Sequence, residues 1–287
     1  MRQYLFCDID GTLLFDQPDG SYDIKNTDLD ALRSLPQNEI QLVLSSGRAC
    51  NVADFFKSRL NYEVDMIALN GAMILSEGKI QKLNGLPLSD YKTITEDIAK
   101  RFPDVSMGTL HFDGNYYLKE PILDDYYCRL SRHLVCDSSD ALQNDDYLMK
   151  QSKNMLIPKI LFYIKCTKDP NLVFCYLQET YGHLYNFIFS SEVMIECLPK
   201  NMSKAEGILH YMKINKISEA DCFAVGDSDN DVEMLRLFPN SFCMQHGTQK
   251  AKLASDHIVE NVREVIESMI KANTVSFCID FILIHNV

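Results

Sequence analysis

The chain has 287 residues, 46% hydrophobic and 24% charged, which is enough apolar material for one large or two moderate folded units and too much for a disordered or collagen-like chain. Lys and Arg total 28 against 40 Asp and Glu, a formal net charge of -12 that argues against broad nucleic-acid affinity and requires any anion site to be locally basic. The N-terminus MRQYLFCDID lacks the features of a signal peptide, and the most apolar run, SFCIDFILI, is well short of the ~20 residues of a membrane span and contains Asp280. Neither a membrane nor a nucleic acid is therefore expected as a partner. The 10 cysteines show no CxxC spacing, and several lie inside apolar runs as small buried hydrophobes, so a reducing cytoplasm is the expected compartment.

In chain order, YLFCD predicts a strand, TDLDALRSL a helix and IQLVLSS a second strand. NVADFFKSRL follows as a helix and DMIALN as a strand, and AMIL and KIQKL flank Glu77 and Gly78 as a hairpin. Such alternation predicts a parallel sheet covered on both faces. From about Asn84 to Ile195 the order changes. Helix DYKTITEDIAKRF precedes strands SMGTLHF and NYYLK, helical YYCRLSRHL, strand KILFYIKC, helix LVFCYLQETYG and a closing antiparallel pair, LYNFIFSS and VMIECL. Alternation resumes with helix SKAEGILHYM, strand CFAVG, helix DVEMLRLF, strand SFCM and helix VREVIESMIK, and SFCIDFILI reads as a terminal strand. The expected fold is α/β: a doubly wound, Rossmann-like parallel sheet core over residues 1–83 and 196–287, with an inserted α+β cap over 84–195.

The sharpest chemical signal is FCDIDGTLL, where an apolar strand ends in Asp8 and, two residues on, Asp10, before a turn at Gly11 and Thr12. Residues two apart on a strand point the same way, and the carboxyl ends of parallel strands are where open α/β sheets bind ligands. Two such carboxylates repel, a cost that a bound divalent cation offsets, and hard oxygen donors favour Mg²⁺ over Zn²⁺. A second strand end, CFAVGDSDNDVEML, supplies Asp227, Asn230 and Asp231. Taken alone, Asp231 reads as an acid at a helix N-terminus; beside Asp8 and Asp10 it reads as part of a site. None of the seven histidines has HxxxH or HExxH spacing.

These segments resemble the haloacid dehalogenase superfamily of phosphohydrolases, in its Cof-type sugar-phosphatase-like branch. DIDGT matches the first signature region, the end of QLVLSSGR the second through Ser46 and Gly47, KNMSKAEGIL the third through Lys204, and GDSDND the fourth, while NGA at Asn70 to Ala72 resembles a further Cof-type element. Ser45 and Lys200 are the neighbours with which Ser46 and Lys204 could be confused. The chain departs from the pattern at Gln245 and His246, where Gly and Asn are expected, and in its C-terminal extension.

The resemblance implies a Mg²⁺-dependent phosphatase that hydrolyses a small phosphorylated metabolite, a sugar phosphate first, with phosphorylated cofactors such as pyridoxal phosphate or flavin mononucleotide behind. Asp8 is then the nucleophile that becomes an aspartyl-phosphate, and Asp10 the acid/base. Asp8, the Asp10 backbone carbonyl and Asp227 hold the metal, with Asp231 in or just behind its ligand shell. Ser46, the Gly47 N–H and Lys204 grip the phosphoryl oxygens, and Arg48, Asn70, Gly71 and Asn230 bind substrate. Two rivals remain: a phosphotransferase or phosphomutase of the phosphomannomutase type, and a non-catalytic metabolite-binding regulator.

Overall fold

The computed structural model describes residues 2–17, 22–119, 142–165 and 168–272. The helix expected at YYCRLSRHL and the terminal strand at SFCIDFILI lie outside the described residues.

The chain begins with β1 (Gln3–Cys7), α1 (Asn26–Arg33), β2 (Ile40–Ser45), α2 (Val52–Leu60), β3 (Asp65–Ala68) and the hairpin β4 (Met73–Ser76) and β5 (Lys79–Lys82). It continues through α3 (Leu88–Arg101), β6 (Val105–Leu110), β7 (Tyr116–Lys119), β8 (Leu142–Asn144), β9 (Ile160–Ile164), α4 (Pro170–Tyr181), β10 (Tyr185–Ser191) and β11 (Met194–Pro199). Last come α5 (Lys204–Asn215), β12 (Cys222–Gly226), α6 (Val232–Arg236), β13 (Ser241–Met244), α7 (Gln249–Ala254), β14 (His257–Val259) and a helix α8 over 262–272.

Eight strands form one sheet in the order β14-β13-β12-β1-β2-β3-β4-β5. The first six are parallel, and β4 and β5 extend the edge antiparallel. The central strands are apolar at nearly every position because both faces are covered. Period-2 alternation divides them between two layers. Leu5, Cys7, Leu42, Leu44, Phe223 and Val225 face a layer shared with α1, α2 and α8. Phe6, Val43, Ile67 and Ala224 face another shared with α5, α6 and α7. The chain order reverses between β1 and β12, since β1 leads to β2 and β3 on one side while β12 leads to β13 and β14 on the other. Such a switch point opens a crevice at the carboxyl ends of the strands.

The second sheet has the order β8-β7-β6-β9-β11-β10. One face, carrying Met107, Tyr117, Phe162, Ile195 and Cys197, packs with α3 and α4. The other, carrying Leu110, Tyr116, Leu161, Tyr163 and Met194, bears no helix among the described residues and packs with the layer of the first sheet. Strand β11 runs to Pro199, so the boundary expected between residues 195 and 196 falls inside a strand. The strand runs one residue beyond the apolar run VMIECL, because Pro199 still pairs with Tyr185 of β10. The described cysteines are unpaired thiols, and burial pushes those of Cys50 and Cys222 up to about 12, leaving them protonated and unreactive at neutral pH.

A buried ion pair ties the two sheets together. Lys159, just before β9, and Glu196 on β11 pair at 3.0 Å with side chains only 5% and 10% exposed. Lys159 also donates to the Gly47 carbonyl at 3.2 Å, and Glu196 accepts from Asn70 Nδ2 at 3.0 Å. Both contacted residues lie on loops of the first sheet. Removing one partner leaves a buried charge uncompensated, at a cost of about 3–5 kcal/mol. Lys159→Met and Glu196→Gln are each expected to lose stability of that order in urea melts, and the double variant to lose less than the sum of the two.

Candidate active site

Four neighbouring strands deliver their next residues to the same edge. Asp227 follows β12, Asp8 follows β1, Ser46 follows β2, and Asn70 lies two residues beyond β3. The Asp8 N–H extends the ladder by donating to Val225 O at 2.9 Å, which fixes the carboxylate at the switch point. Beyond it the chain turns sharply, with the N–H groups of Leu13 and Leu14 both donating to Ile9 O. Gly11 has φ +83°, and a Cβ there would lie 2.6 Å from an Asp227 carboxylate oxygen. Glycine thus permits both the turn and the close approach of the second acidic loop.

The side chains of Asp8, Asp227 and Asp231 place one carboxylate oxygen each within 4.8 Å of one another. Lys204 Nζ donates to Asp8 Oδ1 at 2.5 Å and to Asp231 Oδ1 at 2.7 Å, with the lysine only 2% exposed. The other Asp231 oxygen accepts the N–H groups of Asp227 and Ser228, each at 3.0 Å, so Asp231 folds the loop and anchors the lysine. Thr12 Oγ1 donates to Asp8 Oδ2 at 3.2 Å. Burial raises the Asp8 carboxyl well above the usual carboxylate range, and repulsion from Asp231 adds to this while Lys204 opposes it. Asp227 is raised as well, by burial and then by Asp231. Burial works against the Lys204 ammonium, but Asp231 and Asp8 outweigh it and hold the group above the usual lysine range.

One ammonium against three carboxylates leaves the cluster short of positive charge. Its all-oxygen donor set and spacing fit a hard divalent cation, with Asp8 and Asp227 as the acids whose oxygens Asp231 and Lys204 do not occupy fully. The Asp10 side chain is turned elsewhere. Arg48 Nε reaches both of its oxygens, at 3.0 and 2.9 Å, and Nη2 approaches Oδ1 at 2.6 Å. The guanidinium also lies 5.3 Å from the centre of the Tyr22 ring.

These groups line one cavity of about 400 Å³ that includes Asp8, Asp10, Ser46, Gly47, Arg48, Asn70, Lys204, Asp227 and Asn230. Ser46 faces the cavity, whereas Ser45 completes β2 and points its hydroxyl into the protein without a partner. Lys200 is exposed at the end of β11, while Lys204 is the lysine on Asp8. Asn230 stands at the rim, accepting from Ser228 Oγ at 2.7 Å.

Gly71, expected to bind substrate, does not reach the cavity. It has φ +94°, and a Cβ there would lie 2.1 Å from Ser203 O, so its part is to let α5 approach β3. Lys159 and Glu196 also line the cavity, and nothing in the sequence marks them, since each is one charged residue beside an apolar strand. His246, at the unusual segment, has Nε2 2.7 Å from Gly11 O and its ring against Phe15, so it braces the turn that follows Asp8.

The family model of the haloacid dehalogenase-like hydrolases matches residues 5–269. The 5-amino-6-(5-phospho-D-ribitylamino)uracil phosphatase YbjI of Escherichia coli K12 is 25% identical over 278 residues, 92% of this chain and 94% of that protein. A haloacid dehalogenase-like hydrolase from Bacteroides thetaiotaomicron superposes with a TM-score of 0.77 at 20% identity, over 94% of this chain and 100% of that one. TM0651 from Thermotoga maritima does so with a TM-score of 0.77 at 21% identity, over 93% and 97%. With the match running from β1 into α8, this chain belongs to the haloacid dehalogenase-like hydrolases, in their Cof-type phosphatase branch.

Proposed function

We propose that the protein is a Mg²⁺-dependent phosphatase of small phosphorylated metabolites that works through an aspartyl-phosphate on Asp8, with the second sheet as its cap. The observation that carries this is the cluster of Asp8, Asp227, Asp231 and Lys204 at the sheet's switch point. The molecule named for YbjI is itself a small phosphorylated compound. Asp8, the Asp10 carbonyl and Asp227 would hold Mg²⁺, which would supply the positive charge that lets an anionic nucleophile meet an anionic phosphate.

The residues then divide the work. An Asp8 oxygen attacks phosphorus, the bond to the leaving oxygen breaks, and Asp10 gives that oxygen its proton. The Asp10 carboxylate next takes a proton from the water that attacks phosphorus. The bond from Asp8 to phosphorus breaks, and inorganic phosphate leaves with both acids restored. Lys204, Ser46 and the Gly47 N–H face the phosphoryl oxygens, where charge shifts in the transition state. Arg48 begins on Asp10. An incoming phosphate dianion competes for that guanidinium, and its release lets Asp10 carry a proton.

Phosphate release from small phosphomonoesters is expected to require Mg²⁺ and to stop with chelator; turnover in chelator would defeat the reading. Release without an acceptor sugar separates hydrolysis from phosphoryl transfer. Asp8→Asn is expected to lower turnover at least about 10⁴-fold and Asp10→Asn by about 10²–10⁴-fold, with both variants folded. In thermal melts Mg²⁺ is expected to stabilise the protein, by about 2.7 kcal/mol at a hundred times its Kd, and Asp227→Asn to remove most of that gain.

A further inference from the structure

The phosphoryl end of the cavity comes from the first sheet, and the opposite wall comes from the face of the second sheet turned toward it. That wall is built from Leu110, Tyr116, Leu161, Ile188 and Met194. Strand pairing makes it continuous. Tyr116 lies opposite Leu110, and Leu161, Glu196 and Ile188 form one row across β9, β11 and β10. Met194 lies two residues from Glu196, on the same face.

The wall holds two charged groups, and both are committed. Lys159 is shared between Glu196 and the Gly47 carbonyl, and the Glu196 oxygens take Lys159 and Asn70. Ser190 and Ser191 also line the cavity, but only at the exposed end of β10, away from the row formed by Leu161, Glu196 and Ile188. A polyhydroxylated leaving group pressed against this surface would give up water at each hydroxyl and gain few partners in return. A flat, weakly polar ring would instead bury its faces against branched aliphatic side chains and the Tyr116 ring.

We propose that the leaving alcohol of this enzyme's substrate carries a flat aromatic or heteroaromatic ring, placed against the Leu110, Tyr116, Leu161, Ile188 and Met194 wall, in preference to a sugar. This rests on the phosphatase reading above and narrows its substrate class away from the sugar phosphates that the sequence puts first. Ile188 and Met194 are then specificity-determining residues that touch the ring and take no part in the chemistry.

The test compares phosphate release, with Mg²⁺, from benzyl phosphate and pyridoxal 5′-phosphate against glucose 6-phosphate and mannose 6-phosphate. All four are esters of primary alcohols, so leaving-group acidity differs little among them. Acetyl phosphate, which places nothing against the wall, is the control for the chemistry itself. The ring esters are expected to have kcat/KM at least about tenfold above the sugar esters, with most of the difference in KM, in keeping with the ~10²-fold discrimination an apolar pocket can reach. Ile188→Asn, at a half-buried position, and Met194→Gln, of matched length, are expected to shrink that ratio at least about threefold with unchanged circular dichroism. Sugar esters turned over as well as ring esters would overturn the proposal, as would a ratio unmoved by both substitutions. So would hydrolysis of acetyl phosphate without hydrolysis of the ring esters. Failure of acetyl phosphate together with all four esters would instead remove the phosphatase reading beneath it.

Discussion

Three carboxylates within 4.8 Å of one another, in a chain of net charge -12, set the terms for the rest of the structure. Burial, and after it repulsion from Asp231, raises the proton affinity of both Asp8 and Asp227. Lys204 is the resident part of the answer, and it arrives from a helix rather than from a strand end. For its ammonium to reach Asp8, the start of α5 must lie almost against the backbone beyond β3. Two glycines make this possible. A Cβ at Gly207 would lie 2.5 Å from Ile67 Cγ2 and 2.8 Å from Gly71 Cα, and one at Gly71 would run into Ser203 O. The small residues in NGA and KAEG are thus packing requirements of the electrostatic site, which is how Gly71 can matter without touching a ligand.

The sheet supplies the rest by geometry. Because chain order reverses between β1 and β12, no crossover helix covers the gap above their carboxyl ends, and Asp8 and Asp227 project into it. The strands on either side are saturated with apolar contacts on both faces, so their ends are held rigidly. Acidic groups whose separation decides whether they can share a cation gain from being mounted on such strands rather than on long loops.

The core strands were legible in the sequence because each buried parallel strand is a short apolar run closed by turn residues, and Asp8, Asp10 and Asp227 sit at the ends of two such runs. The hairpin of β4 and β5 was legible from Glu77 and Gly78, both with positive φ. Less legible was anything that depends on which way one side chain faces. Ser45 and Ser46 are adjacent hydroxyls at a strand end, and only the turn after β2 puts Ser46 in the cavity and Ser45 in the interior. Lys159 and Glu196 are separated by 37 positions and come together only once β9 and β11 pair, so no local pattern announces them.

The junction of the two sheets explains how a single cavity can serve two ends of a substrate. Lys159 and Glu196 occupy the middle of it, bonded to each other, to the Gly47 carbonyl and to Asn70. On one side of them the cavity groups are charged or polar and belong to the first sheet; on the other the wall belongs to the second and is mainly aliphatic and aromatic, with Ser190 and Ser191 at its exposed end. A charged pair that is satisfied internally can mark this border without contributing to recognition, because its hydrogen bonds are already spent. It also holds the loops of Gly47 and Asn70 in fixed register with the second sheet. The division of labour follows from connectivity: the wall and the acids are carried by different sheets, whose facing residues, Leu110, Tyr116, Leu161 and Met194 on one and Leu5, Cys7, Phe223 and Val225 on the other, share one apolar layer.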